Sequence, residues 1–442
     1  MRSVYKTAYA LIVAATAATA VNGTPTIAGK GGAVEIFTTP DTLAIPYRIP
    51  AIACTGKGDI VAVADYRYSR LDIGVLVDNA GNVNDGHIDI HCRVSADGGA
   101  TWGETATIAD GLGAASADAF HTGFGDPALA ADRESEEVVM LCCSGDVSFF
   151  QGKRDNHQGI AVFHSLDGGR TWGEPADVNE SFYAQLDDCV HGPVRAMFVG
   201  SGKIHQSRYV KVGKYYRLYC AVLVRTRDNL RSNYVYYSDD FGRTWTLLGD
   251  PNEPPIITGG DEPKAEELPD GSVVVSSRIR DGRKYNIYYF TDAATGEGLW
   301  GESAISDNSN NGVAAESNST NGELLILPAT RVADGQPTWV ALQSIPLGPG
   351  RSHVGIYYKE LASRQDYINP AAFATDWDGS CMVTEMGSAY STMALQADGR
   401  VAFFYEEDTY QAVSGGGFTL IYVPLTLAEI TGGKYDLDSG RW

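Results

Sequence analysis

Apolar residues along this chain come in short runs, broken by glycine, aspartate or asparagine, and long stretches with helical spacing are scarce. Val34 to Thr39 and Tyr47 to Ala64 read as strands, with Gly56-Lys57-Gly58-Asp59 as a turn. Later, Asp-Gly and Asn-Gly pairs feed apolar runs: Asp270-Gly271 before Ser272 to Ser276, Asn321-Gly322 before Glu323 to Leu327, and Asp398-Gly399 before Val401 to Tyr405. Such pairs supply the positive φ that tight hairpins need. About six hairpin units follow, near 52–65, 128–143, 197–224, 266–280, 317–331 and 394–407.

One turn recurs. Ser95-Ala96-Asp97-Gly98-Gly99-Ala100-Thr101-Trp102 returns at Ser165 to Trp172 and at Ser238 to Trp245, at intervals of 70 and 73 residues. Each copy reads S-x-D-x-G-x-T-W. The aspartate can accept backbone N–H groups inside the turn, the glycine can take positive φ, and the tryptophan can bury beside the hairpin. These are structural roles, so Asp97, Asp167 and Asp240 are not read as catalytic acids. A degraded fourth copy is expected at Thr291 to Trp300. A period of this length made of antiparallel strands predicts an all-β fold, a six-bladed β-propeller. Two tandem β-sandwiches fit less well, because the repeat runs through the middle with no linker. The strands Phe418 to Pro424 are expected to complete the first blade and close the ring.

The chain has 442 residues, 44% of them apolar, with 50 glycines, 24 tyrosines and a net charge of −21. That charge argues against nucleic acid and anionic membranes as partners. Any anion must be bound by a local basic pocket. Residues 1–22 read as a secretory signal: Arg2 and Lys6, then the apolar run Ala8 to Ala20, then Ala18-Thr19-Ala20 for cleavage. The run is too short for a comfortable membrane span, and no cysteine follows closely enough to suggest a lipid anchor. Export to the periplasm or medium is expected, with 23–33 as a linker and 34–442 as the propeller, acting as a monomer.

Seven scattered cysteines are too few for a disulfide scaffold and read as small buried hydrophobes, with room for one disulfide. The eight histidines show no metal-ligand spacing, although His87 and His91 share a strand face, and no metal or other cofactor is expected. Asn179-Glu180-Ser181 and Asn318-Ser319-Thr320 are glycosylation sequons that carry little weight.

Pro46-Tyr47-Arg48-Ile49-Pro50 places one arginine between apolar residues at the start of a strand. Proline pushes its predecessor toward extended geometry, so Arg48 is expected on a stiff, extended backbone. A guanidinium held that way suits a planar carboxylate.

Together, the three turns and Tyr47-Arg48-Ile49-Pro50 resemble the sialidase (neuraminidase) superfamily, bacterial exo-α-sialidases in particular, over essentially residues 34–427. That family calls these turns Asp boxes. The resemblance implies a role for further residues. In Asp65 to Asp72 it selects Arg67 for the sugar and Asp72 as general acid/base, with Asp78, Asp85 and Asp89 as rivals. Gly125-Asp126-Pro127 resembles the family's sugar-binding Asp-Pro pair, and Phe149 and Phe150 could wall an N-acetyl methyl. The pattern of one glutamate before a hairpin and one arginine after it selects Glu262 and Arg278. Glu266 and Glu267 are rivals read as solvated, and Arg280 and Arg283 are rivals of Arg278. Arg351 matches the third arginine of a triad, Tyr390 a nucleophile, and Glu406 a brace for Arg48, with Glu407 as its rival.

The chemistry implied is removal of terminal sialic acid from glycans. Three arginines would clamp its carboxylate, and a neutral tyrosine nucleophile would avoid repulsion from that same carboxylate. Glu262 would be its base, and Asp72 would serve best with a pKa raised toward the working pH. A trans-sialidase would use the same residues, whereas a non-catalytic sialoglycan-binding propeller would need neither Asp72 nor Tyr390.

Overall fold

The apolar runs pair as antiparallel ladders, which group into six small sheets among the described residues. The computed structural model describes residues 31–39, 47–78, 81–253, 256–408 and 418–441. The signal read over 1–22, most of the linker and Pro46 lie outside them.

Blade one is Tyr47–Cys54, Ile60–Arg67, Ile88–Ser95 and Ala106–Ala109, and blade two is Phe124–Ala131, Val138–Ser144, Gly159–Ser165 and Ala176–Asp177. Blades three, four and five repeat the pattern from Ala196–Val199, Pro263–Glu267 and Leu324–Arg331. Blade six is Ser388–Leu395, Val401–Glu407 and Thr419–Leu425, with Val34–Phe37 as its outer strand. First strands of neighbouring blades pack together around the axis of this six-bladed propeller. Both faces of a blade are covered. In Ile60–Arg67, Ala62 packs toward Phe404 and Tyr422 of blade six, while Val61 and Val63 pack toward Leu129 and Met140 of blade two. This is why the strands read as nearly continuous apolar runs instead of clean alternation.

The three Asp boxes join third to fourth strands in blades one to three, and their aspartates stay in the turns. Asp97 accepts Thr101 N–H at 2.8 Å and Thr101 Oγ1–H at 2.6 Å, with matching bonds at Asp167 and Asp240. Thr291 to Trp300 occupies the same place in blade four, where Asp292 accepts Ala294 N–H at 2.9 Å. Six of the seven cysteines are buried and none is in a disulfide.

Three expectations change. The C-terminal strand does not complete blade one. The N-terminal strand Val34–Phe37 instead completes blade six by pairing with Thr419–Leu425. Asn321-Gly322 is not a hairpin turn but leads into Leu324–Arg331, whose own hairpin turns at 332–336. Gly322 is pressed there against Ser344, where a Cβ would lie 2.0 Å from its carbonyl oxygen. Finally, the backbone before Pro50 is not extended: Ile49 has φ +58°.

Two buried carboxylates explain that backbone. Glu406 accepts Arg48 Nε–H at 2.7 Å, Ile49 N–H at 2.9 Å and Tyr390 N–H at 2.9 Å. Asp65 accepts Arg67 Nη2–H at 2.8 Å and Asp126 N–H at 2.8 Å. Each carboxylate sits on the second strand of one blade and grips the next blade at a pre-proline residue, Ile49 or Asp126, both at φ +58°. The first strands bulge at that height, between Arg48 and Ala51 and between Gly125 and Ala128. A third bulge, between Ser388 and Ser391, holds Tyr390 opposite Glu406. Positive φ is costly for a β-branched residue, so these bonds must offset it.

Glu406→Gln keeps the size but replaces one acceptor oxygen with an NH₂ that must face an N–H donor. We expect it to lower stability by about 3 kcal/mol in urea unfolding at pH 7. A loss below about 1 kcal/mol would show that the carboxylate does not latch the ring. The paired Arg48 holds the Glu406 pKa below its ordinary range despite burial. Its stabilisation is therefore full above the unfolded value near pH 4.3 and fades as pH falls through the lower folded value.

Candidate active site

The latches bring polar side chains to one end of the axis, around a cavity of about 260 Å³. Seven of the nine polar residues selected from the sequence line it: Arg48, Asp72, Asp126, Glu262, Arg278, Arg351 and Tyr390. Arg67 and Glu406 stand behind them, 2% and 0% exposed.

Tyr390 is the centre. Its hydroxyl donates to Glu262 Oε1 at 2.7 Å and accepts from Arg278 Nη1 at 2.9 Å. The same Arg278 nitrogen reaches Glu262 Oε2 at 2.6 Å, and Arg278 Nε donates to Ser319 Oγ at 2.9 Å. The guanidiniums of Arg48 and Arg351 flank the Tyr390 ring, at 5.3 and 5.8 Å from its centroid. Burial and the Glu262 charge push the phenol pKa well up, against the pull of the three arginines. Arg48 has Glu406 and Arg278 has Glu262, whereas Arg351 is exposed and has no acidic partner among the described residues. Two of the three guanidiniums are thus ion-paired to buried carboxylates, which leaves Arg351 open to meet an anion.

A second group forms one wall. Arg67 bonds Asp65 and, at 2.5 Å through Nη1, Asp72 Oδ1. Burial raises the Asp65 pKa to about 6 against Arg67. Burial and then the neighbouring Asp65 charge push Asp126 well above the carboxylate range. Asp72 behaves oppositely. Its side chain is 69% exposed at the mouth. What desolvation it feels would raise its pKa, but Arg67, Arg48 and Arg351 outweigh this and hold it below the ordinary range. The arginines therefore favour ionised Asp72, contrary to the raised pKa expected of a waiting acid.

The rivals sit elsewhere. Asp78 and Asp85 hold local turns through Asn82 and His87, and Asp89 accepts Tyr68 Oη–H at 2.8 Å. Arg280 is exposed beside Asp281, and Arg283 is buried against Ser276 and Thr320. Glu407 accepts Tyr405 Oη–H at 2.9 Å. Glu266 and Glu267 are not solvated: both are 0% exposed, held by Lys203, His205, Arg208 and Ser207. Phe149 and Phe150 both line the cavity, the first buried and the second 70% exposed. Among the described residues, one grouping able to hold a metal, His87 with Asp89 and Asp110, has its ligand atoms within 4.8 Å and does not line the cavity.

Sequence reasoning missed three residues. Asp65 lies two positions before Arg67 and so on the same strand face, an acid in an apolar run that carried a usable signal. Ser319 was hidden in a sequon whose Asn318 is 4% exposed and donates to the Pro346 carbonyl at 3.1 Å, which makes it a packing residue and no glycan acceptor. Gln158 lines the cavity with its Oε1 unpartnered, beside Phe149, Phe198 and Leu223, and nothing in its local sequence marks it.

The BNR repeat-like domain family matches residues 76–402. The chain is 31% identical to a sialidase of Micromonospora viridifaciens over 243 residues, covering 52% of this chain and 32% of that one. It is 27% identical to a sialidase of Bacteroides fragilis over 174 residues, covering 36% and 29%. The chain thus matches about a third of the length of these relatives. Similar folds include a Hadza microbial sialidase, with TM-score 0.67, 19% identity, and 90% of this chain and 69% of that one covered. The intramolecular trans-sialidase from Ruminococcus gnavus has TM-score 0.64 and 16% identity, with 90% and 98% covered. Trypanosoma rangeli sialidase has TM-score 0.61 and 18% identity, with 91% and 60% covered. A match over most of the chain means that the protein belongs to the BNR repeat-like domain family, and its Asp-box propeller is of the bacterial sialidase type.

Proposed function

We propose that this protein is an exported exo-α-sialidase that removes terminal α-linked sialic acid with retention of configuration. The observation that carries this is Tyr390 hydrogen-bonded to Glu262 at 2.7 Å among three arginines. Sialic acid bears its carboxylate on the anomeric carbon. Arg48, Arg278 and Arg351 supply the positive charge to bind it. A carboxylate nucleophile beside that group would meet like-charge repulsion, so a neutral phenol is the better attacker. Its raised pKa makes it a poor nucleophile unaided, and Glu262 is placed to take the proton as the bond forms.

In the first step Tyr390 Oη bonds the anomeric carbon and its proton passes to Glu262. The glycosidic bond breaks, and Asp72 gives a proton to the leaving oxygen. In the second step Asp72 takes a proton from water, the oxygen attacks the same carbon, and the phenol leaves and recovers its proton from Glu262. Two displacements retain configuration. The T. rangeli sialidase, which shares this fold, forms a covalent intermediate with 2,3-difluorosialic acid. Phe149, Phe198 and Leu223 with the Gln158 amide suit an N-acyl group, and Asp126 a sugar hydroxyl. Transfer to an acceptor sugar would use the same groups, and product analysis with lactose present separates it from hydrolysis.

Tyr390→Phe should lower hydrolysis of an aryl α-sialoside by at least about a thousandfold, and proton NMR of the wild-type reaction should show the α-anomer first. Wild-type-like turnover by the variant, or first release of the β-anomer, rules out the tyrosyl route. A second expectation concerns pH. The substrate carboxylate neutralises the arginines that depress Asp72, and the aglycone covers its exposed face, so the Asp72 pKa should rise in the complex. The alkaline limb of kcat should therefore lie at higher pH than that of kcat/KM. Coincident limbs would contradict this coupling.

A further inference from the structure

A cluster of metal-ligating side chains lies outside the cavity, on blade one. His87 and Asp89 stand two positions apart at the start of the strand Ile88–Ser95, so their side chains leave on one face. Asp110 follows the strand Ala106–Ala109, whose Ala109 pairs with Ile90, and this brings it across to Asp89. One His87 nitrogen and one carboxylate oxygen from each aspartate lie within 4.8 Å of one another. The bonding among them is incomplete. His87 Nε2 is 3.7 Å from Asp89 Oδ1, too far for a hydrogen bond, and neither ring nitrogen makes one among the described residues. Asp89 is 3% exposed, yet no lysine or arginine pairs with it or with Asp110 among the described residues. A buried carboxylate beside a second acid calls for a cation. Asp89 is nevertheless held in place. Tyr68 Oη–H donates to Oδ2 at 2.8 Å and Gly111 N–H to Oδ1 at 2.9 Å, which leaves a lone pair on each oxygen. Tyr68 also stacks on the His87 ring, with centroids 3.8 Å apart, and so fixes its plane.

We propose that His87, Asp89 and Asp110 bind one divalent transition-metal ion, with zinc the best fit. An imidazole with two carboxylates is a borderline donor set that suits zinc, whereas calcium and magnesium take oxygen ligands. Two ligand atoms on one tetrahedral zinc stand about 3.4 Å apart. The 3.7 Å between His87 and Asp89 therefore needs little adjustment. Two carboxylates and a neutral imidazole balance a 2+ charge, and the exposed Asp110 side leaves a coordination position for water. Tyr68 and Gly111 act through Asp89, as the outer shell that orients a ligand. The ion would join the ends of three strands of blade one at one point, at the root of the loop that runs from Arg67 to Asp72. Its role there is structural, since none of the three ligands lines the cavity.

The test is metal binding by the full chain after chelation, read by calorimetric titration with zinc chloride and by the visible absorption of added cobalt(II). Wild type should bind one equivalent of zinc, and cobalt should give the intense ligand-field bands of a low coordination number. Asp110→Asn, a change at an exposed side chain that leaves the fold intact, and His87→Gln should each weaken zinc by at least about tenfold and remove those bands. Tyr68→Phe keeps all three ligands and should weaken zinc about tenfold through the lost bond to Asp89. His121→Ala is the control: its ring bonds Asp118 at 2.9 Å on the surface, so adventitious binding to such a pair would be lost there instead. Zinc should also raise the thermal unfolding midpoint of wild type and leave that of Asp110→Asn where it was. No saturable zinc binding to wild type at up to about 1 mM overturns the proposal. So does binding that survives either ligand substitution, an equal loss in His121→Ala, or calcium bound more tightly than zinc.

Discussion

The structure depends on a carboxylate that must satisfy two demands at once. A six-bladed ring closes only if the first strands of neighbouring blades meet at a fixed height, and sheet ladders alone do not fix height between blades. Glu406 does so by binding two backbone N–H groups from different blades, at Ile49 and Tyr390. The same two oxygens hold the Arg48 guanidinium. Ring closure and site geometry therefore share one group. Asp65 repeats the arrangement one blade on, with Arg67 and the Asp126 N–H. The strained pre-proline backbones are the cost of aiming Arg48 and Asp126 at the axis, and they persist because a buried acceptor over-determines them.

Beneath the cavity, charge is arranged by strand period. Glu262, Lys264 and Glu266 occupy alternate positions at and within Pro263–Glu267, so they share one face. Lys264 is fully buried and 3.9 Å from Glu323. Burial lowers its pKa, with Glu323 and Glu262 opposing. Placing a cation between two acids keeps like charges from stacking down the axis. Glu266 answers to Lys203, His205 and Arg208 at the far end, while Glu262 hydrogen-bonds Arg278 and Tyr390.

How far this was legible in the sequence follows from the range of each interaction. Hairpins and Asp boxes are local, and they appear where their turn residues stand, except at Asn321-Gly322, which joins two blades. Arg48, Tyr390 and Glu262 carried a family pattern and converge on one cavity. Glu266 and Glu267 read as solvated because the partners that hold them, Lys203 to Arg208, lie about sixty positions earlier. Ile49 departs from the local pre-proline rule for a similar reason: its acceptor is 357 positions away. Closure by Val34–Phe37 was equally hidden, since an outer strand looks the same whichever blade it joins.

On the proposed mechanism, the site holds Tyr390 and Asp72 away from the protonation states that the chemistry needs. The Tyr390 phenol is kept protonated by burial and by Glu262, and Asp72 is kept ionised chiefly by Arg67. A ligand that brings no carboxylate to the arginines leaves both as they are. One that does removes the positive charge that depresses Asp72, while its aglycone displaces water from that exposed carboxylate. The same anion weakens the arginines' pull toward phenolate, so proton removal then rests on the 2.7 Å bond to Glu262. Recognition and activation thus draw on one charge. A neutral sugar that fits the cavity by shape would still find Asp72 without its proton.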